Sequence, residues 1–184
     1  NGTSAKFKNP SAVTIVGGNL YVAEYGNHKI RKIVLSSGAV TTLAGSGSQG
    51  SSDGTGTSAT FKFPQSITTD ATNLYLAETA NNKIRKIDTL TGFVTTLAGS
   101  GTMASTNGTG TAASFGHPAG ITSDGNNLYV TDQNTHKIRK IVISTGVVTT
   151  LAGSGSAGSA NGTGASASFN KPRGITTDGT DLYV

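Results

Sequence analysis

The chain of 184 residues contains no cysteine, which excludes disulfide staples and thiolate metal sites. Charged side chains supply only 12% of it, far below the roughly 25% of an ordinary globular domain. The polar surface must therefore come mainly from Ser, Thr and Asn. No apolar run reaches the ~18 residues that a membrane-spanning helix requires. No targeting segment is visible, although the chain starts at Asn1 and a processed chain would show none. Prolines number four, whereas glycines number 26. Glycine and serine at this level fit either disorder or a β fold turned by glycine, and periodicity decides between them.

The periodicity is strong. Pro10, Pro64, Pro118 and Pro172 lie 54 residues apart, and so do Phe7, Phe61, Phe115 and Phe169. "LYV" begins at Leu20, Leu128 and Leu182, with "LYL" at Leu74. "KIRKI" begins at Lys29, Lys83 and Lys137, and "TTLAGSG" at Thr41, Thr95 and Thr149. A long, gapless period is the signature of a solenoid or propeller. The repeats run about 1–54, 55–108 and 109–162, and 163–184 start a fourth.

Each unit reads as four strands. In the first copy these are 11–16, 19–24, 29–34 and 39–44, short β-branched or aromatic runs between Gly, Asn and Ser turns. No helical period competes with them. Four antiparallel strands per unit are what a propeller blade needs. The expected fold is all-β: a β-propeller segment of four-stranded antiparallel blades, about three and a half in number. The connector at 45–64 is expected to cross from the outermost strand of one blade to the innermost of the next. Its "A-x-F-x-x-P" ending would anchor it, with the Phe ring packed between blades and Pro fixing entry to the inner strand.

"NLYVAEYGNHKIRKI", "VTTLAGSG", "DGTG" and "FKFPQSITTD" together resemble the NHL-repeat family, and the resemblance covers essentially the whole chain. It implies a propeller of the six-bladed type. The first copy departs from the pattern, because "PSAVTIVGGN" at 10–19 lacks the Gly and Asp found at Gly120 and Asp124. Propellers close with about four to eight blades, so three and a half leave apolar blade faces uncovered. The expected partners are the remaining blades of a longer protein or other copies of the chain. A segment of a longer propeller is the favoured expectation.

Candidate binding residues come from two places. The KIRK clusters offer Lys29, Arg31, Lys83, Arg85, Lys137 and Arg139, and net charge is +5. This suggests an anionic partner, and the family resemblance adds RNA as one choice. The blander reading is a solvated strand, with cationic stems covering the sheet and their heads in water. Glu24, Glu78 and Asp132 stand across the hairpin and would offset part of the charge. The hairpin tips offer Tyr25, Asn27, His28, Asn81, Asn82, Asn134 and His136; the tips vary between copies, as a binding surface on a constant scaffold would, and equally as unconstrained tips would drift.

Neither a catalytic constellation nor a metal or cofactor set is legible. The "DGTG" and "NGTG" loops lack the lysine of a phosphate loop and the carboxylates of a calcium loop. Asn1, Asn107 and Asn161 begin glycosylation sequons, which matter only in a eukaryotic secretory host. The sequence thus leads us to expect a non-enzymatic binding or scaffold module for a protein or surface polymer. Nucleic-acid or polyanion binding is the alternative, and a lyase or hydrolase sited in other blades the third. An extracellular or periplasmic bacterial setting fits the composition.

Overall fold

The computed structural model describes residues 4–184. Strands β1 (Pro10–Val16), β2 (Asn19–Glu24), β3 (Lys29–Val34) and β4 (Val40–Ala44) form one antiparallel sheet in chain order. Next come β5 (Gly54–Thr55), β6 (Pro64–Thr69), β7 (Asn73–Glu78), β8 (Lys83–Asp88) and β9 (Phe93–Ala98), ordered β5-β9-β8-β7-β6. Strands β10 (Gly108–Thr109), β11 (Pro118–Ser123), β12 (Asn127–Asp132), β13 (Lys137–Val142) and β14 (Val147–Ala152) repeat that arrangement. A final pair, β15 (Thr176–Thr177) and β16 (Leu182–Tyr183), holds the first two strands of a fourth sheet. The protein is a run of propeller blades. Strands β1, β6 and β11 neighbour one another and line the inner side.

The core lies between the sheets, because alternation gives each strand two apolar faces. Tyr21, Ala23, Ile30 and Ala44 of the first sheet pack on Ile67, Leu74, Leu76, Ile87 and Val94 of the second. The second sheet turns Tyr75, Ala77, Ile84 and Ala98 to Ile121, Leu128, Val130, Ile141 and Val148 of the third. Phe61 and Phe115 are fully buried in these two layers, as the repeated Phe predicts. Each such large side chain taken from water is worth about 1.5–3 kcal/mol.

The connector departs from expectation. Four strands per blade are expected, but the second and third sheets have five. Before returning to the inner strand, the connector pairs Gly54 and Thr55 with Val94 and Phe93 on the outer edge of the next blade. Its outgoing and returning limbs also touch, through a parallel bridge between Gln49 and Phe61. This detour accounts for its length and covers an edge that would otherwise invite pairing. Departure from the blade requires glycine. Gly45 has φ +99°, and a Cβ there would lie 2.5 Å from the His28 carbonyl oxygen, with equivalent crowding at Gly99 and Gly153.

Candidate functional site

The basic strand is the first place to look, and the structure corrects the expectation for it. Arg85 and Arg139 are fully buried and reach no solvent, while Arg31 keeps 15% side-chain exposure. Arg85 donates to Glu78 Oε2 at 2.8 Å, Asp53 Oδ1 at 2.7 Å and the Ser52 and Thr60 carbonyls, with its guanidinium over the Phe61 ring. Arg139 does the same with Asp132, Asn107 and the Thr106 and Ser114 carbonyls, over Phe115. Each arginine clamps the incoming connector to its own blade. The planar fork suits this task because it can satisfy several acceptors at once.

The three acids complete the clamp. Glu78 and Asp132 are buried, and Glu24 as well. Burial pushes the Glu78 carboxyl up, against the pull of Arg85 and of the Lys62 amide at 2.6 Å. Burial likewise raises Asp132, opposed by Thr135, the Gly116 amide and Arg139. Asn27 and Asn81 donate to Glu24 and Glu78, so both serve the clamp. Lys83 and Lys137 donate to Ser51 and Ser105 of the connector, at 2.7 Å and 3.1 Å. Lys29 is half-buried beside Gly47. Asn134 is exposed.

The hairpin slot of His28, Asn82 and His136 is a latch between blades. His28 Nδ1 accepts from the Phe63 amide at 3.2 Å, Asn82 Oδ1 from His117 at 3.0 Å, and His136 Nδ1 from Lys171 at 3.0 Å. Burial, then the charge of Lys8, lowers the His28 pKa and favours the neutral ring that this acceptor role needs. The three residues held by the latch, and Asn9 at the same slot of the first copy, adopt an unusual backbone. Asn9, Phe63, His117 and Lys171 have φ between 48° and 62°, although each precedes proline, where the helical regions are disfavoured. A fixed device thus presents a side chain that differs in every copy.

Phe63 and His117 line a cavity of about 590 Å³ at the inner end of the blades, bounded by the starts of β1, β6 and β11 and by 173–175. Two of its lining slots hold a different residue in every copy. After each proline stand Ser11, Gln65, Ala119 and Arg173. After the buried acid stand Tyr25, Thr79 and Gln133. Tyr25 stacks on Phe63 with ring centroids 4.7 Å apart, and His28 meets the Phe63 edge at 4.9 Å. Tyr25 is thus the one residue of the sequence-derived set that lines the cavity. Phe63, Gln65, His117, Gln133 and Arg173 were missed. The signal was present in the residues flanking the prolines: Asn9 and Ser11, Phe63 and Gln65, His117 and Ala119, Lys171 and Arg173.

The backbone of the mouth is firmly placed. Ser11 Oγ donates to the Pro64 carbonyl at 2.9 Å, Thr79 Oγ1 to that of Pro118 at 2.8 Å, and Thr131 Oγ1 to that of Arg173 at 2.8 Å. Successive inner strands come so close that a Cβ on Gly120 would lie 2.2 Å from the Arg173 carbonyl oxygen. Opposite, at the far end of the inner strands, Asp124 accepts from Asn126, Asn127 and the Tyr129 hydroxyl. Burial works to raise this carboxyl, but those bonds outweigh it and bring it down to about 2. Asp70 and Tyr75 make the same turn. Val16 stands at that position in the first blade, so Tyr21 has no such partner there.

No protein-family model matches the chain. It is 33% identical over 163 residues to NHL repeat-containing protein 2 of Homo sapiens, an alignment spanning 80% of this chain and 22% of that protein. Among solved structures, a protein of unknown function from Bacteroides thetaiotaomicron superposes with TM-score 0.75 at 26% identity, over 94% of this chain and 43% of the other. An auxiliary nutrient binding protein from the same organism gives TM-score 0.71 at 20% identity, over 89% and 42%. The chain therefore spans less than half the length of each of these proteins.

Proposed function

We propose that this chain, which belongs to the NHL-repeat family, is a non-enzymatic binding module whose ligand face is the mouth at the inner ends of its blades. The observation that carries this is the contrast between slots. The clamp arginine and the connector phenylalanine are the same in every copy and the clamp acid stays a carboxylate, whereas the residues flanking each proline differ in every copy. A concave site of this size with a few converging polar groups suits capture of a ligand or polymer segment. The partner is a protein or a surface polymer. The solved neighbour described as nutrient binding lends support at the level of fold alone.

A non-catalytic role is favoured because Glu78 and Asp132 are occupied by buried arginines, which leaves His117 without a free acid beside it. An extracellular or periplasmic setting belongs to the same proposal. Further blades, from a longer chain or from other copies, would cover the open flanks. The test is binding by the 184-residue chain with Tyr25→Ala and Gln65→Ala against Lys32→Ala. Loss of binding in the first two alone supports the mouth. Equal loss in all three, or loss only with Lys32→Ala, removes it.

A further inference from the structure

We infer that the mouth takes an acidic sugar polymer, a chain of carboxylate-bearing pyranose rings. This rests on the mouth being the ligand face and adds the chemistry of what enters it. Charge is sorted by the ends of the strands. Glu24, Glu78 and Asp132, the carboxylates at the mouth end, are all buried and face arginines. Asp53 sits on an outer edge against Arg85. Asp70, Asp124, Asp178 and Asp181 lie in the turns at the far end of the inner strands, and Asp88 stands opposite Asn73 at that same end. These nine are all the acidic residues in the chain. Arg173 meanwhile lines the cavity, and Lys8, Lys62 and Lys171 stand one or two positions before the prolines that open the inner strands at the mouth end. An anion approaching the mouth meets cations without a competing free carboxylate, and field focusing in a cleft strengthens the attraction.

The lining supplies the rest. The stacked Tyr25 and Phe63, Gln65, Gln133 and Arg173 all line the cavity. The apolar face of a sugar ring packs on an aromatic face, amides bond its hydroxyls, and a guanidinium takes its carboxylate in a two-point contact. The Lys171–Arg173 segment is anchored at both ends, by His136 on the Lys171 amide and Thr131 on the Arg173 carbonyl. The backbone that carries these two exposed cations is therefore fixed at the rim before any ligand arrives. Single-stranded nucleic acid is less well served, because it uses several successive stacking platforms. This mouth offers a single aromatic pair.

The test is calorimetric titration of the 184-residue chain with oligogalacturonate, a neutral glucan of equal length and oligouridylate. Variants are Tyr25→Ala, Arg173→Ala, Arg173→Lys and, as a control off the mouth, Lys32→Ala, each checked for an unchanged unfolding midpoint. Oligogalacturonate alone should bind, with affinity falling as salt rises. Arg173→Ala should lower it by about tenfold, Arg173→Lys by less, and Lys32→Ala should leave it alone. Equal binding of the neutral glucan, still lost with Tyr25→Ala, overturns the charge argument and keeps the mouth as the ligand face. Tighter binding of oligouridylate, lost with Arg173→Ala, replaces the sugar by nucleic acid. Binding of oligogalacturonate that ignores both mouth residues overturns the inference and the mouth together. Absence of binding to all three overturns the inference.

Discussion

The first and second blades are two copies of one repeat, and they differ most in what stands in front of them. Ile67 of the second blade is 5% exposed, whereas Val13, its counterpart in the first, is 58% exposed. Phe61 is fully buried, and Phe7 is 36% exposed. Arg85 has no exposed side-chain surface, but Arg31 retains 15%. Strand lengths and register are nearly the same in the two copies. Burial in this fold is thus a property of the pair of neighbouring sheets, as in other linear repeats where each unit contacts only its neighbours.

The largest expected effect concerns the clamp. Arg85→Ala strands the buried Glu78 and should lower stability by about 3–5 kcal/mol, with a smaller loss for Arg31→Ala on the open flank. Urea unfolding midpoints measure both, and equal losses would break the distinction between covered and open blades. Next come the core positions. Ile67→Ala should cost about 2–5 kcal/mol, whereas Val13→Ala should stay within about 0.5 kcal/mol. A large loss at Val13 would mean that another sheet covers this flank in solution, which sedimentation of the same variant would register as a change in particle mass.

The smallest effect is the acid response of the far turns. The Asp124 carboxyl is held down at about 2 against an ordinary 3.8, so folding is favoured by its ionisation. That contribution is fully present above 3.8 and lost as pH falls toward about 2. Asp124→Asn should flatten the stability profile across that window. The first blade has Val16 at this position and nothing to titrate. A profile unchanged by the substitution would show that the turn bonds form equally in the unfolded chain.

Much of the blade was legible. The second and third strands of the first repeat fall at 19–24 and 29–34 as expected, because apolar alternation and glycine turns mark strands locally. The Phe–Pro anchor was legible for the same reason. The edge strand at Gly54–Thr55 was not, since two residues carry no period and pair with a strand about forty positions later. The KIRK arginines misled because a cation on a strand is ordinarily solvated. Burial here depends on Phe61, Ser52 and Asp53 arriving from another part of the chain. The histidine slot misled similarly, because variability at a turn reads as a binding tip, and only the amide of the next repeat reveals the latch.

By itself the sequence determined the unit and its apolar sides, because strand alternation and turn chemistry act over a few residues. Which side met a neighbour, which cations became internal and which variable positions gathered into one mouth were decided by tertiary structure. Alternation says which way a side chain points, but what stands opposite it comes from a repeat 54 positions away.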